Sequence, residues 1–317
     1  MNSQPGRLRY AGLANALTFL FNFATVLLTS RIPMNSKALL FSVIGSGLLF
    51  ATTVSAQTPK VDFPSPSPLS TLKQRVGLTD IEITYSRPSA KGRPIFGGLV
   101  PYGQVWRTGA NGRTTISFST PVKLNNTDIP AGTYSLFTIP GEKDWTVIIN
   151  KDIKSSPFAY DPTNDVARFT APAVHIGQFV ETFAIIVNAI RDDSARIDLL
   201  WENTAVPIHL NLDLVSTLQP QIEAAMAAPG NKKPYYQAAM FYFDHNLDLQ
   251  KAKAWIEEAT KSNETYYVVN LKARILAKLG DKEGAIAAAK RSSELAAKAE
   301  GASGYLKLNQ DLIDSLK

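Results

Sequence analysis

Residues 84–111 hold four arginine or lysine side chains, five glycines, three prolines and four aromatic rings within 28 positions. Among them, Arg87, Arg93 and Arg107 carry planar, forked guanidinium groups suited to carboxylate or phosphate oxygens. Tyr102 and Trp106 offer flat apolar faces, and Asn111 offers a paired donor and acceptor. Gly97, Gly98, Gly103 and Gly109 permit tight turns and close backbone approach. An ordinary strand or helix has no use for this mixture, whereas a shaped loop system does. The chemistry expected of it is capture of an anionic or sugar-like ligand. The competing expectation is architectural: arginines that pin loops by bonding carbonyls, and aromatics beside glycines that plug the end of a β-sandwich.

Other chemistries lack their residues. The three histidines, His175, His209 and His245, show neither His-x-His nor His-Glu-x-x-His spacing, so no metal site is expected. The chain has no cysteine, which excludes disulfides, thiolate metal ligands and thiol catalysis. The Gly-x-Ser-x-Gly elbow of serine hydrolases is missing downstream of residue 56. Phe96-Gly97-Gly98 lacks the Gly-Lys-Ser/Thr ending of a phosphate loop and reads as a turn before Pro101 and Tyr102. Asp161, Asp165, Asp192 and Asp193 sit among turn residues, where carboxylates accept backbone hydrogen bonds. Asn164-Asp165 supplies only part of a calcium loop. No cofactor is expected. Without a complete catalytic constellation, the reading is a binding module. The alternative is a hydrolase of envelope polysaccharide or peptide, using carboxylates or a histidine that only folding brings together.

The elements that must position these groups divide the chain in two. Over residues 70–215 the apolar period is two. Ile81, Ile83 and Tyr85 alternate with polar neighbours, as do Trp145, Val147 and Ile149, then Ile197, Leu199 and Trp201. Asn125-Asn126, Pro140-Gly141 and Asp192-Asp193 punctuate the runs. Eight to ten short strands with no crossover helix predict a mainly β domain, an antiparallel sandwich or jelly roll. Residues 57–69, rich in proline and serine, read as an extended leader. Over residues 219–317 the spacing becomes three and four. Ala252 and Ala285 lie 33 apart, as do Ala259 and Ser292. That spacing predicts paired helices of tetratricopeptide-like type, with Leu247 and Ser292 replacing the usual Gly and Ala. A plain helical hairpin tail is the other reading. Such helices offer a surface to a protein partner.

The first 56 residues contain no acidic residue. After Met34, Asn35-Ser36-Lys37 precedes an apolar run from Ala38 to Phe50, then Val54-Ser55-Ala56 before Gln57. This is the order of a secretory signal peptide, cleaved near Ala56. Residues 1–33 then read as an upstream extension. The rival reading makes Tyr10–Thr29 a retained anchor, the one route to a membrane. Export without disulfides points to a bacterial envelope, so the expected location is periplasmic or secreted. Removing residues 1–56 takes away Arg7, Arg9, Arg31 and Lys37, so 33 basic residues fall to 29 against 27 acidic. No strong positive field remains, and nucleic acid is not an expected partner.

Two blocks carry a family resemblance. The first is Tyr85-Ser86-Arg87-Pro88, Lys91-Gly92-Arg93, the run Ile95–Gly103 and Val105-Trp106-Arg107-Thr108-Gly109-Ala110-Asn111. The second is Ala131–Gly141 followed by Trp145–Asn150. Together they resemble the bacterial secreted family known as domain of unknown function 2911, over about residues 64–211. The resemblance implies the sandwich, an exported location and a helical tail, and no particular reaction. That family often has an acidic residue directly after the Asn of the first block; here Gly112 and Arg113 follow. No role that needs a carboxylate at that position carries over.

Overall fold

The alternating segments form ten strands: β1 (Leu69–Val76), β2 (Thr79–Ser86), β3 (Ala110–Phe118), β4 (Val122–Leu124), β5 (Thr127–Ile129), β6 (Gly132–Ile139), β7 (Asp144–Asn150), β8 (Asp165–Pro172), β9 (Val174–Asn188) and β10 (Ser194–Asn211). The computed structural model describes residues 61–230 and 232–317. The upstream extension at 1–33, the signal-peptide reading at 34–56 and the start of the leader lie outside the described residues. Among the described residues no helix is long and apolar enough to cross a membrane.

All strand pairings are antiparallel. One sheet has six strands in the order β1-β2-β3-β6-β7-β8, the other four in the order β5-β4-β10-β9. The period-two residues meet between them: Ile81, Ile83, Trp145 and Val147 from one sheet, Ile197, Leu199, Val206 and Ile208 from the other, all sealed from solvent. A mainly β sandwich is what alternation demands, because each sheet has one apolar face to hide. β1 is an edge strand, preceded by Pro64, Pro66 and Pro68. Tyr85 crosses between the sheets, its hydroxyl accepting from the Ile185 amide at 2.8 Å and donating to the Ile185 carbonyl at 3.2 Å.

Two departures from simple alternation matter for the site. β10 bends at bulges between Leu200 and Thr204, where Glu202 takes a φ of 49°. On the outer face of the six-stranded sheet, Phe137 and Ile148 are buried although their neighbours Leu136 and Ile149 already fill the core. The long β7–β8 connection provides cover there, with Tyr160 edge-on to Phe137 at 5.3 Å.

Six helices follow: α1 (Leu214–Ala227), α2 (Tyr235–Asp244), α3 (Leu249–Ser262), α4 (Tyr266–Lys278), α5 (Lys282–Ala296) and α6 (Ser303–Ser315). The helical part begins at Leu214 rather than 219. Asp213 caps α1 by accepting from the Ser216 amide, and the helix runs on through Pro220. Ala252 and Ala285, spaced as the sequence required, are both fully buried. Asn246 explains the missing glycine at 247: it takes the left-handed conformation (φ 55°) one residue earlier, as Gly280 does (φ 86°) after α4. Ser292 has its own reason. Its hydroxyl donates to the Tyr266 carbonyl (2.8 Å) and accepts from the Asn309 amide (2.9 Å), whose oxygen accepts from Asn270 (2.8 Å). This buried chain fixes α6 against α4 and α5. Replacing Asn309 with Leu strands the Asn270 and Ser292 groups, and should cost about 1–3 kcal/mol in urea unfolding followed by helical circular dichroism.

Candidate functional site

The dense segment leaves β2 at Ser86 and returns at β3, wrapping one end of the sandwich. All its aromatics but Tyr102 go inward. Trp106, only 9% exposed, stacks on Trp201 at 5.9 Å and meets Phe183 at 5.1 Å, while Phe96 meets Trp145 at 4.9 Å. These rings come from both sheets and from the loop, so the loop is bolted to each. The Trp106 indole donates to the Gly109 carbonyl, and the backbone of Trp106 pairs with Thr138 in both directions. Trp106 is therefore a core residue, in line with the architectural reading.

Three further predicted residues hold the scaffold. Arg87 Nε donates to the Phe183 carbonyl at 2.9 Å. Arg93 donates through Nε to Ala90 O and through Nη2 to Ser89 O. Asn111 Nδ2 donates to Ser67 O at 3.0 Å. Each spends donors on a backbone carbonyl, which is how an irregular loop satisfies its polar groups.

Tyr102 and Arg107 remain, and they face different surroundings. Tyr102 borders a recess of about 150 Å³ lined by Phe96, Trp145, Glu142, His175 and Thr204. Glycines build it. Gly97 has a φ of 82°, and a Cβ there would come within 2.8 Å of the Tyr102 ring. A Cβ at Gly141 would strike the Asp144 carbonyl at 2.4 Å, so the β6–β7 turn that presents Glu142 also needs glycine. His175 and Thr204 are cross-strand partners on β9 and β10, beside the bulge. The one histidine–carboxylate pair among the described residues is His245 with Asp192, 3.1 Å apart; Glu142 and His175 share the recess without such a bond.

Arg107 points the opposite way from Trp106 and lies with its guanidinium 4.8 Å from the centre of the Phe158 ring. Its Nε is buried with no hydrogen-bond partner among the described residues. Burial holds its pKa below the usual arginine range, yet a guanidinium remains charged at neutral pH. Thr108, next in the chain, has a φ of 54°, a costly conformation for a β-branched residue, and its hydroxyl is 3.0 Å from that of Thr138.

Arg113, the residue standing after Gly112 in the first block, organises the neighbouring loop. Its side chain is 5% exposed and donates to the carbonyls of Asp152, Ser155, Ser156 and Ala159, as well as to Asp152 Oδ2. The hydrogen bonds from Ser155 and Lys154, with Arg113 nearby, pull the Asp152 carboxyl down to about 2. Tyr160 is pushed up to about 12 by burial and by its bond to Asp165, so it stays protonated and donates at 2.6 Å. Glu142, Thr204 and Phe158 were not singled out from the sequence. Phe158, a large ring amid Ser-Ser-Pro and Ala in a polar loop, was the available signal.

Among the described residues the architecture is thus a ten-stranded antiparallel sandwich followed by six helices. The model of the family described as Protein of unknown function (DUF2911) matches residues 67–210, from just ahead of β1 almost to the end of β10, and supports the resemblance carried by the two blocks. No curated protein and no solved structure matches the chain.

The two tryptophan-loop neighbours should behave oppositely on substitution. Trp106→Ala is expected to cost about 3–5 kcal/mol in denaturant unfolding, as for a large buried ring. Arg107→Met should change stability by less than about 1 kcal/mol, since only an exposed ring contact is lost.

Proposed function

We propose that this chain is an exported envelope protein that acts as a binding module, with the recess at the sandwich end taking a sugar-like, hydroxylated group. One observation carries the reading: a phenol, a carboxylate, an imidazole and a hydroxyl with no side-chain hydrogen bonds among the described residues converge over Phe96 and Trp145. Apolar pockets with a few convergent polar groups are the usual form of small-molecule sites. The exposed Tyr102 ring matches the C–H face of a sugar, and the polar groups match its hydroxyls. The helical part, read as tetratricopeptide-like from its 33-residue spacing, supplies a second surface for a protein partner.

A hydrolase acting on envelope polysaccharide or peptide is the second reading, favoured by Glu142 and His175 sharing one recess. Glycosidic hydrolysis ordinarily needs two carboxyl groups, and Glu142 is the one carboxylate in the lining. The binding reading therefore comes first.

The test is a titration of the purified protein with a panel of neutral and acidic mono- and disaccharides, followed by intrinsic tryptophan fluorescence. Binding should be lost in Tyr102→Ala and weakened about tenfold in Glu142→Gln, a value expected for one buried hydrogen bond to a charged group. Turnover of nitrophenyl glycosides or peptide substrates that vanishes in both Glu142→Gln and His175→Ala would move the assignment to the hydrolase. For export, mass spectrometry of the protein from the cell envelope should find Gln57 at the N-terminus; a species retaining Tyr10–Thr29 would replace the signal peptide with an anchor.

A further inference from the structure

We propose that Arg107 and Phe158 form a second site, on the outer face of the six-stranded sheet, that captures a carboxylate carried by an acidic, partly apolar peptide segment of a partner protein. Folding accounts for the other guanidinium groups of this region. Arg87 and Arg93 bond carbonyls of the loop and of β9, and Arg113 holds four carbonyls of the β7–β8 connection. Arg107 has no acceptor and no carboxylate among the described residues; its one neighbour of note is the Phe158 ring. A desolvated cation with an unmade hydrogen bond costs stability unless something else uses it.

The geometry states which part is on offer. Nε is sealed, whereas Nη1 and Nη2 are neither bonded nor sealed, so the outer edge of the fork is open. Two parallel N–H donors at that edge match the two oxygens of a carboxylate. The backbone that aims them is rigid: Trp106 is locked in the core, and Thr108 is held in a left-handed conformation beside Thr138.

The surroundings name the rest of the partner. Phe158 is 78% exposed and Ile153 is 40% exposed, an apolar rim on the same connection. Among the described residues Lys151 and Lys154 flank it with no ion-pair partner, while Asp152 is paired with Arg113 and caps the turn, and Asp161 is hydrogen-bonded to Thr163. Arg107, Lys151 and Lys154 outnumber Asp161, whose bonds to Thr163 leave its charge in place, so the local balance is positive and complements an acidic segment with apolar residues between its carboxylates. A flat anionic lipid surface would meet the lysines and Phe158 first and would not reach a half-buried guanidinium. A projecting glutamate or aspartate side chain does.

The probes are a fluorescein-labelled peptide alternating Glu and Leu, its Gln-for-Glu counterpart, phosphatidylglycerol vesicles and inorganic phosphate, each titrated into the purified protein. The acidic peptide should bind. Arg107→Lys, which keeps charge but loses the fork, and Phe158→Ala, which removes an exposed ring and leaves the core intact, should each weaken it about tenfold or more. Tyr102→Ala should leave peptide binding unchanged, which separates this site from the recess. No binding of the acidic peptide, equal binding of the Gln peptide, wild-type affinity in Arg107→Lys or Phe158→Ala, or binding confined to vesicles or phosphate would each overturn the proposal.

Discussion

The Trp106 indole, stacked on Trp201 and crossed by Phe183, is the contact on which the rest of the site depends. A loop rich in glycine and proline has little intrinsic order, because its backbone entropy is large and its ladder bonds are few. One large ring driven into a shared core changes that. It removes apolar area from water, and its backbone completes a two-way pair with Thr138. Every residue within a few positions then inherits a fixed direction. Tyr102 is set at the recess, and Arg107 is set on the far side. The two candidate surfaces are consequences of one anchored side chain.

Donor accounting separates the arginines. A guanidinium near a protein surface has five N–H groups to satisfy, and an irregular loop has carbonyls to satisfy. Arg87, Arg93 and Arg113 solve both needs at once, and their positions make sense without any ligand. Arg107 solves neither. Arg113 does more than satisfy itself: buried, it gathers a connection of more than ten residues.

Much of the fold could be read from the chain itself. Alternation located the strands because one face of each sheet is buried, and this held for Ile81–Tyr85, Trp145–Ile149 and Ile197–Trp201. The helices start at Leu214 rather than 219, where the apolar period changes, because Asp213 caps the first turn and the helix accommodates Pro220. The site was legible in part. The dense segment lies at the end of the sandwich that holds the candidate recess, but type alone could not separate Trp106, a core ring, from Tyr102, a rim ring. The turn at Gly103, with a φ of 72°, lies between the two rings. Glu142, His175 and Thr204 come from three separate places in the chain and meet only through the β6–β7 turn and the β9–β10 bulge. Local spacing carries no trace of such a meeting.

The prolines ahead of β1 have a consequence for the molecule in a crowded compartment. An exposed sheet edge is a template on which another chain can lay a strand. Pro64, Pro66 and Pro68 carry no amide hydrogen, so these positions can accept, as Pro68 does from the Arg87 amide, but cannot complete two-way pairs of a ladder. Lys73 and Arg75 lie farther along the same strand. A neighbouring copy approaching this border meets a segment with an amide missing at every second position and then two ion pairs, Lys73 with Glu82 and Arg75 with Asp80, which discourages open-ended stacking of sandwiches.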